Sequence, residues 1–138
     1  MNKTTQLWKT ILRWTAVLPV SILGMILAFG LWRLLHKLTV AGYIDTDSWL
    51  NIVFVDIMSN VIAGMAFVYI GFKVAPAYQK TIAIILTGLL LIVSGSSLFI
   101  INFMTKEYFS NIGIVCTNIG SIACCISIYK GEMDEKEY

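Results

Sequence analysis

The residue with the most chemistry to offer is an acid in an apolar setting. Asp56 is the only charged side chain between Trp49 and Phe72. An ionisable group inside a membrane span costs at least about 2.5–3.5 kcal/mol, so it reads as functional by default. Asp56 follows Trp49 by seven residues, which places it about 10 Å into the run at the helical rise. The same depth on the other apolar runs falls on Asn118, counted from Asn111, and on Ser97 and Ser96, counted back from Met104. Asn60 lies one turn deeper than Asp56 on the same face. Three segments therefore bring polar groups to one level.

Two readings of that level follow from its chemistry. In the first, a protonated Asp56 bonds to Asn118 and a serine as an interhelical clamp. In the second, Asp56 titrates or meets a cation in a small outward-facing polar cavity, which Arg33 and Asn102 could extend at the rim or leave as ordinary interface residues. Ser94-Gly95-Ser96-Ser97 has the composition of a helix that loosens to offer carbonyls to an ion, or of a tight helix crossing. The crossing is preferred.

The remaining reactive residue types form no catalytic or metal-binding set. Cys116, Cys124 and Cys125 lie in one apolar run without a Cys-x-x-Cys pair, which speaks against disulfide exchange and structural zinc. His36 is the sole histidine. No Gly-rich phosphate loop and no Ser/His/Asp arrangement occurs, so neither a metal nor a cofactor is expected, and the chain is not expected to be an enzyme.

Small residues make a second pattern. Gly113, Thr117, Gly120, Cys124 and Ser127 recur at spacings of four and three, a stripe that lets another helix approach closely. Gly24-x-x-x-Ala28, Ser59-x-x-x-Ala63 and Asn60-x-x-x-Gly64 repeat the theme. A four-helix bundle can use about two such faces internally, and the surplus predicts self-association or docking to a membrane partner.

The elements that must position these residues follow from hydropathy. Of 138 residues, 58% are hydrophobic and 13% charged, against about 25% charged in a soluble domain. The mean hydropathy is +0.81. A soluble globular domain and a nucleic-acid-binding module are both excluded, the latter for want of basic residues. Four apolar runs are long enough to span a bilayer core, 14–32, 49–72, 81–104 and 111–129. The segment 4–13 is expected to lie at the interface as an amphipathic turn or two, or to extend the first helix. Residues 130–138 form an acidic tail. Pro19 can kink the first helix and Pro76 ends the second. Asp47 or Ser48 can cap the second helix and Ser110 the fourth.

Seven of the ten Lys and Arg residues fall before the first run, between the second and third, and after the fourth. The positive-inside rule then puts both termini in the cytoplasm. The expectation is an all-α protein of one domain, a four-transmembrane-helix bundle in the inner or plasma membrane, with the lipid bilayer as its solvent. Its expected role is a non-enzymatic accessory or interaction subunit; the alternative is a small oligomeric pore or ion- or proton-coupled transporter using the Asp56 cluster.

Overall fold

The computed structural model describes residues 3–39, 48–105 and 108–131. Asp45, Asp47, Lys106 and the acidic end of the tail lie outside the described residues. Four long helices dominate: α1 (Lys3–Thr39), α2 (Met58–Val74), α3 (Gln79–Ile100) and α4 (Tyr108–Tyr129). The second and third spans each carry a wider π-helical segment at one end. These are π1 (Ile52–Ile57), preceded by a single α-turn at Trp49–Asn51, and π2 (Ile101–Thr105). Among the described residues there is no strand, and all four spans are long and apolar enough to cross a membrane. This is the all-α four-helix membrane architecture the hydropathy demands.

The first helix is longer than the apolar run that reveals it. It continues from Lys3 through Pro19 to Thr39 without a break, so 4–13 is no separate interfacial segment but the start of α1. At 1.5 Å per residue its 37 residues reach about 55 Å, well beyond a hydrocarbon core of about 30 Å. The physical reason is simple. Charge marks where the lipid core must end, not where helix propensity ends. Arg33-Leu-Leu-His-Lys-Leu-Thr39 contains no Gly or Pro and is rich in good helix formers.

At the opposite end of α2 the chain turns within four residues. Ala75 adopts φ −59°, ψ 128°, the extended conformation that a following proline imposes. Tyr78, at φ 51°, is the one described non-glycine residue in the left-handed region. The turn makes α2 and α3 antiparallel neighbours. Ser110 falls inside the first turn of α4 rather than capping it, because that helix begins at Tyr108.

The helix α2 is the hub. It packs against α1, α3 and α4, and α3 packs against α4, whereas α1 closely approaches only α2 and π1. The α1–α2 pairing is antiparallel, since Trp32 and Arg33 meet π1 while Ser21 meets Gly71. The α2–α4 pairing is parallel, with Asn60 against Gly113 and Gly64 against Thr117. A Cβ on Gly64 would collide with the Thr117 carbonyl, and one on Gly120 with the Val61 carbonyl. Both glycines are therefore needed for backbone-to-backbone contact. The turn end of the bundle is filled by Val17, Phe67, Val68, Phe72, Ala75, Ala83, Leu86, Cys124 and Ile128.

Candidate functional site

The end of the bundle away from that turn is organised by the two π segments. A π turn directs each amide to a carbonyl five residues back, so the ladder goes out of register where it meets an α-helix and carbonyls are left for other donors. Side chains supply them at π1. The indole Nε1–H of Trp32 donates to Phe54 O at 2.9 Å. The Asn60 amide donates to Asp56 O at 2.6 Å, and the Ser59 hydroxyl reaches the same carbonyl at 3.2 Å. Trp32 thus braces the widened turn.

The residue after it provides the counter-charge. Arg33 Nη2 donates to Asp56 Oδ1 at 2.5 Å, and the two side chains are 49% and 45% exposed. The guanidinium also lies 5.0 Å from the ring centre of Phe29, a cation–π contact. Asp56 is thus held as an ion pair between α1 and π1. Its carboxyl group forms no hydrogen bond to Asn118 or to a serine side chain among the described residues, so the predicted protonated clamp is not the arrangement observed. Sequence reasoning placed Arg33 at the rim and missed its role, because depth counting along separate spans does not say which helices are neighbours.

The other polar residues of the predicted level sort into two groups. Asn60 and Ser97 line the same cavity as Asp56, together with Ser94 and Thr117. Thr117 donates to Gly113 O at 2.9 Å and more weakly to Asn60 Oδ1 at 3.4 Å. Asn118 bonds instead to Ser94, whose hydroxyl donates to its Oδ1 at 2.9 Å. Ser96 is exposed, is absent from the cavity wall and donates to Ile92 O on its own helix. Ser94–Ser97 is regular α-helix. The break in α-helical geometry comes one turn later, at π2, where Asn111 donates to Asn102 Oδ1 at 2.9 Å.

The cavity has a volume of about 840 Å³. It lies where α1 and α3 do not meet, with Ile22 and Met25 on one side and Leu89, Leu90 and Val93 on the other. Phe67 of α2 and Ile112 and Ile114 of α4 complete the apolar wall, and the polar groups cluster toward the π segments, whose Ile57 and Ile101 also line the cavity. Pockets of about 300–1,000 Å³ that are mostly apolar with a few convergent polar groups are the usual form of small-molecule sites. Among the described residues no three His, Cys, Asp or Glu side chains come together as a metal site.

The small-residue stripe faces inward. Gly113 abuts Asn60, Thr117 abuts Gly64, Gly120 abuts Val61, and Cys124 is buried in the apolar core, while Ser127 is half-buried. The chain thus uses this stripe to seat α4 on α2. Gly24, from the pattern on the first helix, sits against Ile70.

Fold and site together define a class, a small four-helix membrane-type bundle with a cleft between its first and third long helices. Compared with protein-family models, curated proteins and solved structures, the chain finds no match.

Proposed function

We propose that this is a non-enzymatic protein of the inner or plasma membrane that works by binding, with the cleft between α1 and α3 receiving an apolar or amphiphilic component of the bilayer. The observation that carries this reading is the 840 Å³ cavity, apolar along its length and polar at the π segments. Support comes from the division of labour around it. The backbone contacts of α2 and α4 make a rigid wall, while α1 approaches that unit only through α2 and π1. An accessory role for such a subunit is consistent with this, but a membrane partner or second copy would have to dock on a face other than the α4 stripe, which α2 occupies.

The test is to fill the cleft. Val93→Trp and Met25→Trp should abolish retention of a bound lipid-like molecule when the protein is released from nanodiscs and weighed intact by native mass spectrometry. Equal retention by wild type and both filled variants would overturn the reading.

A second reading, a cation- or proton-coupled carrier, draws on Asp56 at the cavity wall within π1. It requires flux into liposomes that disappears in Asp56→Asn at unchanged helix content. The aliphatic wall below Asp56 weighs against it, because a bare ion in transit needs several oxygens or its own water shell along the way.

A further inference from the structure

The hydrogen-bonding capacity left at the polar end of the cleft is one-sided. Asp56 is the only charged residue among those lining the cavity; Arg33 is not on its wall. Arg33 engages Oδ1, so the second carboxylate oxygen can serve another donor. A hydroxyl carries one proton to donate and two lone pairs to offer, and the three hydroxyls on the wall have already placed their protons. Ser94 donates to Leu91 O or Asn118 Oδ1, Ser97 to Val93 O, and Thr117 to Gly113 O or Asn60 Oδ1. One of the two amide protons of Asn60 is held by Asp56 O. What the wall presents inward is a carboxylate, a set of lone pairs and one remaining N–H of Asn60, a mainly accepting surface above a chamber of Ile, Leu, Val and Phe.

We propose that the cleft takes a single-chain amphiphile with a cationic, hydrogen-bond-donating head, such as a long-chain amine. The head meets Asp56, Asn60 and Ser97, and the chain runs toward Phe67 and Leu89. This rests on the reading of the cleft as a binding site and names the ligand class. An anionic head would sit beside a carboxylate with hydroxyl donors already committed, a like-charge arrangement that selects against it. A bare inorganic cation prefers six or more oxygens or its own water shell, which the aliphatic walls do not supply. Partner helices are about 10–12 Å across with their side chains and need a groove open along their length, whereas this chamber has the size of a ligand site. Its depth from Asp56 to Phe67 spans eleven residues, roughly 16 Å at the helical rise, sufficient for a dodecyl chain.

The experiment places the full chain in phosphatidylcholine nanodiscs with dodecylamine, dodecanol or dodecanoate, and counts the probe retained on the released protein. Dodecylamine is expected to bind best, with Asp56→Asn weakening it about tenfold while leaving dodecanol nearly unchanged, the ratio expected from one charge-assisted hydrogen bond. Because Asp56→Asn leaves Arg33 unpaired, the double variant Arg33→Gln/Asp56→Asn is measured beside it, with helix content checked for both. It should show the same loss of selectivity. If the three probes bind alike, or neither variant changes their order, the head-group assignment is overturned while the cleft stands as a binding site. If no probe is retained, or Val93→Trp retains all of them equally, both the ligand class and the binding reading fall.

Discussion

The two halves of the second span live in different surroundings. From Val61 toward the turn at Pro76, its neighbours are backbone and tightly fitted apolar side chains. Val61 and Gly64 touch main-chain atoms of α4, and Gly71 lies between Leu86 and Ser21. From Asn60 back through π1, its neighbours are polar side chains, an ion pair and open space. In lipid there is no hydrophobic force between helices, so association depends on close packing and hydrogen bonds. One half uses the first and the other half the second. The difference teaches why the cleft is where it is. A π turn, a bulky Trp32 and a charged pair hold the helix ends in place without closing the space between them, whereas glycine contacts on the other half close it completely.

The contrast can be broken most severely at the glycines. Gly64→Ala and Gly120→Ala each force a methyl into a main-chain carbonyl that cannot swing aside, and each should cost about 3 kcal/mol or more. Gly113→Ala would put its Cβ 3.1 Å from the Asn60 amide nitrogen, a side chain that can yield, and should cost about 1 kcal/mol. Gly30→Ala and Gly95→Ala meet nothing within 4 Å and should gain up to about 1 kcal/mol in helix propensity. Unfolding of the series in mixed micelles checks the order; Gly120→Ala as stable as wild type would remove the backbone-contact account of α4.

At the other half the effects should be smaller and coupled. Removing one member of the ion pair, by Arg33→Gln or Asp56→Asn, should cost about 2 kcal/mol, and the double variant less than the two singles together. Strict additivity in that cycle would mean that the pair contributes nothing specific. Smaller than the ion-pair effect is that of Trp32→Phe, at about 1 kcal/mol for one lost hydrogen bond to Phe54 O. Its signature should be local, with faster amide exchange at residues 52–60 and no change near Phe72.

Much of the frame was legible in the residues. The four spans, the stop at Pro76 and the close-packing stripe on the last helix each follow from a local pattern that survives in three dimensions. Asp56 also stood out, since an acid in a span is conspicuous without knowing its neighbours. Its partner did not. Depth along each span can be counted from sequence, but rotation about each helix axis and the order of helices around the bundle cannot. That is why Asn118 and Ser96 shared the level of Asp56 without sharing its cavity wall, and why Arg33 was read only as part of a rim. The π segments had no periodic signature either. The cue to π1 is visible in retrospect as Ser59 and Asn60 just beyond Asp56, donors placed where a carbonyl comes free.

Composition and hydropathy determined by themselves that this chain is a helical membrane-type protein, because a span is recognised by length and apolarity alone. Local residue chemistry determined where the turn falls and which face of α4 packs. The tertiary structure decided what Asp56 faces, with Arg33 on one side and a cavity on the other. It also decided that α1 stands apart from α3. Those outcomes depend on which surfaces meet, and in a bilayer many surfaces are apolar enough to meet; shape and a few polar pairs make the choice.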